Sequence, residues 1–215
     1  MNIISKNDFT FPFDTCETPK NKYFAQPYSV SINFISTLIV LYFLFKVRTL
    51  HAFLLLFSLL LFDISHTFSH FIHINPGIQI KLVHVLAYFL NFTFFYALYK
   101  FTKKVPCIPF IIFLIIILLF DIYAFFNLSL LYYLFTQILF FFSIFIYYYQ
   151  SLPKSMKQNL NILLIIIGMI YLGFVNEVFN CKKMLEKFPN FPFHAIIELL
   201  SLFAVYFFSL SFYNI

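Results

Sequence analysis

The chain has 215 residues, of which 62% are hydrophobic and 10% charged, with Phe alone supplying 36. A soluble domain of this length has too much surface for its volume to hide that quantity of apolar side chain, so the composition excludes a water-soluble globular fold. The net charge of +6 is carried by lysines between apolar stretches, which reads as contact with lipid headgroups and not with nucleic acid.

Residues 1–27 read as a polar N-terminal tail without the apolar core and small-residue cleavage site of a signal peptide. Crossing the hydrocarbon takes about 20 apolar residues. Seven stretches reach that length, at 28–46, 49–73, 78–99, 105–126, 128–150, 158–180 and 191–213. The expected fold is all-α, an integral membrane bundle of seven transmembrane helices forming one domain over 28–215. Short connections predict antiparallel neighbours. The fourth and fifth stretches nearly merge at Asn127. Residues 182–192, with Lys182, Lys183 and Lys187, read as a solvated loop. Basic residues divide equally between the two faces, so the positive-inside rule returns a tie.

Alternation of the spans places nearly every ionisable group in one half of the membrane. The second span brings His66, His70 and His73 to that half, and the third brings His84. The fourth brings Asp121, the sixth Glu177 and Cys181, and the seventh His194 and Glu198. A charge at mid-bilayer costs roughly 2.5–3.5 kcal/mol on insertion scales, so such residues mark a site unless they pair structurally. His66, His70 and His73 are spaced i, i+4, i+7 and share one helix face, as do His194 and Glu198 at i, i+4. Imidazole and carboxylate together suit zinc with an open position for water, and equally non-haem iron. For His51 and His73, near the interfaces, a hydrogen bond to a neighbouring helix is the simpler reading. Asp63 reads either as a helix–helix hydrogen bond or as part of a site.

The sequence also carries ordered motifs. The tail has Asp14-Thr15-Cys16-Glu17 and then Ala25-Gln26-Pro27-Tyr28-Ser29-Val30-Ser31-Ile32-Asn33. Phe68-Ser69-His70 closes the second span, Glu177-Val178-Phe179-Asn180-Cys181 the sixth, and Pro192-Phe193-His194-Ala195-Ile196-Ile197-Glu198 opens the seventh. In this order they resemble the alkaline ceramidases, within the seven-span membrane hydrolases that include adiponectin-receptor-like proteins. The resemblance implies a zinc-dependent hydrolase that cleaves a lipid amide with metal-activated water, on ceramide or another acyl lipid. It implies His70 and His194 as zinc ligands, with either His84 or Glu198 as the third and the remaining one handling the water proton. His84 stands near the place of the family's third-span acid, Glu198 in place of its second seventh-span histidine, and His66 in place of its serine. Either His66 or Ser65 is then the candidate for oxyanion stabilisation. Asp14 and Glu17 match acids of the family's calcium site, with Gln26 in place of another. Cys16 and Cys181 match cysteines that pair in the family, and a disulfide there places the N-terminus outside the cytosol. Other readings of the same residues are a lipid esterase or phospholipase, an iron-dependent lipid oxygenase, a catalytically inactive lipid-binding or sensor protein, and an ion path in a transporter.

Overall fold

A computed structural model describes Cys16 and residues 26–71, 76–127, 130–189 and 191–215. Among these residues the chain forms seven α-helices and no strand: α1 Pro27–Leu44, α2 Leu50–Phe71, α3 Pro76–Thr102, α4 Ile108–Asn127, α5 Leu130–Tyr149, α6 Lys154–Lys187 and α7 Phe193–Phe212. Prolines punctuate the starts. Pro27 and Pro76 open α1 and α3, while Pro153 and Pro192 are the N-caps of α6 and α7. Their missing N–H costs nothing where the first helical donors have no partner within the helix. α4 and α5 are separate helices that pack against each other. His73, Asp14 and Glu17 lie outside the described residues.

The largest departure from the expected boundaries is at the end of α6. Residues 182–187 are not a loop; they continue α6 for nearly two turns past the predicted span. Lys, Leu and Glu are strong helix formers, and no Gly or Pro interrupts them before Pro189. The extension carries Cys181 and the lysines on a rigid element.

Among the described residues, four helical segments are long and apolar enough to cross a membrane: Pro27–Leu44, Leu50–Phe71, Lys154–Glu177 and Phe193–Phe212. Large apolar side chains on their outer faces are exposed, including Phe34, Phe53, Ile165 and Phe203. These features are those of an integral, multi-pass membrane protein.

Spatial neighbours run α4–α5–α3–α2–α1–α7–α6, with α7 also touching α2. The apolar core lies toward the ends of α3, α5 and α7 and the start of α2, where Leu55, Leu56, Phe94, Leu98, Tyr148 and Phe212 are buried. Phe94 stacks on Phe141 at 4.7 Å between centroids and meets Phe212 edge-on at 5.5 Å, geometries that suit the aromatic quadrupole. Buried polar residues gather in the other half. There Gly173 of α6 faces Ile197 of α7, and a Cβ at 173 would lie 3.1 Å from Ile197 Cγ1. The missing side chain lets α6 approach α7 one turn before Glu177.

Candidate metal centre

The centre is built from the end of α2, the start of α7 and the later turns of α6. His66 and His70, four residues apart on α2, present Nε2 atoms 3.2 Å apart. Glu198 of α7 brings Oε1 to 3.4 Å from His70 Nε2 and 3.7 Å from His66 Nε2. These three form a group of potential ligand atoms within 4.8 Å of one another. His70 and Glu198 are buried, and His66 is largely so.

His194, one turn before Glu198, places Nε2 2.8 Å from Glu198 Oε1. The approach is close, yet this nitrogen makes no aligned hydrogen bond, and neither does Glu198 Oε2. The outer nitrogens are held differently. His194 Nδ1 donates to Glu177 Oε2 at 2.9 Å, and His70 Nδ1 donates to Gln26 Oε1 at 2.5 Å. An acceptor at each Nδ1 fixes the proton there and turns the Nε2 lone pair inward, which is the arrangement in which imidazoles serve as metal ligands. Gln26 also donates its backbone N–H to the His70 carbonyl at 3.1 Å, pinning the start of α1 to the end of α2.

Glu177 is itself anchored. Its Oε1 accepts the backbone N–H of Cys16 at 3.0 Å, and Cys16 is disulfide-bonded to Cys181 one turn further along α6. The tail is thereby tied to α6 at the carboxylate that holds His194.

The donor set fits a small hard-to-borderline cation. Donors on a tetrahedral zinc with bonds of about 2.0–2.1 Å stand about 3.3 Å apart, and the His66–His70–Glu198 edges are 3.2, 3.4 and 3.7 Å. Inward-facing lone pairs repel one another unless a cation sits among them, and the unpaired Glu198 Oε2 leaves capacity to spare.

The sequence-derived residues therefore divide. His70, His194, Glu198 and His66 converge. His84 is buried on α3 with its ring edge-on to Tyr88, and it does not belong to the group of ligand atoms. Ser65 is half-buried on α2 and is not among the residues lining the adjacent cavity. Two supporting residues went unassigned as such in the sequence. The Glu177-to-Cys181 spacing flagged the first, but nothing in the motif tells which histidine it serves. Gln26 counted only as a lost calcium ligand.

Asp63, two turns before His70, is a helix–helix clamp. It accepts hydrogen bonds from Ser36 Oγ at 2.9 Å and Thr37 Oγ1 at 2.5 Å. Asp121 is likewise held inside the bundle, by Thr136 and by Gln137 Nε2 at 2.9 Å.

A cavity of about 290 Å³ opens on the centre, with Asn33, Asp63, His66, His194, Glu198 and Ser201 among its polar lining and mostly apolar residues elsewhere. A second cavity of about 290 Å³, nearly all apolar, continues toward Phe94 and Phe208. The two share Leu59, Phe62, Ile138, Ile167 and Val205 in their walls. The fold and this site define a helical membrane protein with a buried histidine–carboxylate centre beside a greasy chamber. No protein-family model, curated protein or solved structure matches the chain.

Proposed function

We propose that this chain is a seven-span, metal-dependent membrane hydrolase that cleaves the amide bond of an acyl lipid. The observation that carries the reading is the convergence of His66, His70 and Glu198 at tetrahedral-edge distances beside a two-part apolar chamber. On this reading α3, α4 and α5 cross the membrane with the four strongly apolar helices. His66, His70 and Glu198 hold zinc. The zinc would acidify a water molecule and polarise the acyl carbonyl.

The chain's own residues do the rest. His194 Nε2 faces the centre from α7, oriented by the Glu177 carboxylate at Nδ1. It takes a proton from the attacking water and returns it to the leaving nitrogen. Glu177 stabilises the imidazolium formed between those two steps. The apolar chamber receives the acyl chain and excludes water. This reading differs from the one the family resemblance implies in the roles of three histidines, and His84 takes no part in it. His66 joins the ligands, and His194 becomes the proton carrier.

The Cys16–Cys181 disulfide supports an extracytoplasmic N-terminal face, since such bonds persist in oxidising compartments. Cys107, exposed at the start of α4, then faces the cytosol.

A second reading has its own observation. The 2.8 Å contact between His194 and Glu198 can be closed by a proton alone, and a centre closed in that way belongs to a lipid-binding protein without hydrolytic activity. Elemental analysis of the purified protein decides between the two. One equivalent of zinc, lost in His70→Ala and Glu198→Ala, together with release of fatty acid from a long-chain N-acyl amide, is the expected result. Absence of bound metal from the wild-type protein refutes the hydrolase.

A further inference from the structure

The proposed reaction needs a donor for the carbonyl oxygen as it gains charge, and neither residue assigned to that task from sequence is placed for it. Ser65 does not line the cavity. His66 turns Nε2 toward His70 and Glu198.

Among the described residues, buried side-chain atoms without a hydrogen-bond partner include Asn33 Nδ2, His194 Nε2 and Glu198 Oε2, and all three residues line the same cavity. His194 and Glu198 belong to the centre. Asn33 stands apart from it, on α1, only 2% exposed. A buried donor left unpaired costs about 1–3 kcal/mol, so an unpaired amide N–H on a residue that lines a cavity is a place where a ligand's acceptor belongs.

α1 cannot rotate to hide this group. One turn along, Ser36 and Thr37 are clamped by Asp63 of α2, and Thr37 Oγ1 also bonds the Asn33 carbonyl at 3.1 Å. Gln26 pins the start of the same helix to His70. Asn33 is thus presented by a helix fixed at two points on the element that carries the histidines.

We propose that Asn33 donates a hydrogen bond from Nδ2 to the acyl carbonyl oxygen of the lipid and holds that oxygen as the carbon becomes tetrahedral. This inference rests on the reaction proposed above. A preorganised donor in a dry chamber is far stronger than the same donor in water and needs no reorganisation during the reaction.

The test uses the full chain in detergent and two variants. Asn33→Ala removes the amide; Asn33→Asp keeps its volume and replaces the donor with an acceptor. Zinc content and thermal unfolding establish that each variant is folded, and Asn33→Asp decides if the alanine variant is not. Two readouts follow. The first is kcat on a long-chain N-acyl amide, expected to fall about a hundredfold in both variants with zinc stoichiometry unchanged. The second needs no turnover: the affinity of an unreactive long-chain amide relative to a hydrocarbon of equal length. Wild type prefers the amide; the variants lose that preference while binding the hydrocarbon as before. Unchanged kcat and an unchanged amide preference in the folded variants would overturn the proposal. If wild type binds no metal and cleaves no amide, the hydrolase reading fails by itself. Loss of amide preference in the variants would still assign the carbonyl contact to Asn33.

Discussion

Glu177 meets His194 at 2.9 Å between Oε2 and Nδ1, while its other oxygen accepts the Cys16 N–H at 3.0 Å. A single carboxylate therefore orients the histidine and ties the N-terminal tail to α6. Supporting partners of this kind typically account for a 10–100-fold effect on metal affinity or activity. Glu177→Gln is expected to lower kcat by about that factor. Zinc content should stay near one equivalent, because the proposed mechanism makes His194 the proton carrier and not a ligand. Equal loss of zinc in Glu177→Gln and His70→Ala would move His194 into the ligand set.

The exchange of His66 for His194 and His84 makes a second prediction. His66→Ala is expected to lose zinc as fully as His70→Ala, since both Nε2 atoms stand within 3.7 Å of Glu198 Oε1. His84→Ala should keep its zinc, with His84 packed on Tyr88 at 4.4 Å between ring centroids. Metal analysis of the three purified variants settles both halves. Retention in His66→Ala with loss in His84→Ala would restore the third span as the source of the ligand.

Much of this centre could be read from spacing alone. The i, i+4 intervals from His66 to His70 and from His194 to Glu198 place each pair on one helix face, and alternation of spans puts both faces in the same half of the membrane. The helical class follows from composition and from the length of the apolar stretches. What spacing does not carry is the lateral order of the helices. α7 packs between α1 and α6 and reaches α2, and only that placement brings Glu177, Gln26 and Asn33 to bear. Asn33 closes the Ala25-to-Asn33 motif, but nothing in that motif gave it a role. An asparagine near the start of an apolar helix is ordinary, and it becomes informative once its donor is found buried and unpaired. His84 shows the reverse. Its place in the chain made it a ligand candidate, and its packing leaves it outside the cluster.

The disulfide gives a third expectation. Breaking Cys16–Cys181 with Cys16→Ser and Cys181→Ser frees the segment whose backbone N–H holds Glu177. A native disulfide typically contributes about 2–4 kcal/mol, so the double variant should unfold at clearly lower denaturant. It should also lose activity in parallel with Glu177→Gln. A full loss of stability with undiminished activity would separate the tail from the centre.

Asp63 carries a purely structural prediction. Its two oxygens take hydroxyl hydrogen bonds from adjacent residues of α1. Asp63→Ala leaves Ser36 and Thr37 without that partner, at a cost of about 1–3 kcal/mol each where no substitute forms. Asp63→Asn keeps one acceptor and should lose less. Thermal unfolding of both variants, with zinc content as a control for the nearby centre, measures the difference. Equal stability of wild type and Asp63→Ala would remove the clamp from the account of how Asn33 is fixed.

The two adjoining cavities predict chain-length selectivity for a chain that passes from one to the other. Val205 lies in the wall shared by the polar chamber at the centre and the apolar chamber beyond it. A buried methylene contributes about 0.8 kcal/mol, or about fourfold in affinity, so binding of fatty amides should rise steeply with length until the second chamber is full. Val205→Trp places a large ring in this shared wall. Short chains should lose less affinity than long ones, because Asn33 and the polar side of the first chamber keep their residues, while the gain per methylene should stop several carbons earlier than in wild type. Affinities for a homologous series of amides, measured on both proteins, give the two curves. Identical plateaus would mean that the acyl chain leaves the centre toward the lipid and never enters the second chamber. In that case the exposed apolar faces of α1 and α7, not the interior, would set substrate length.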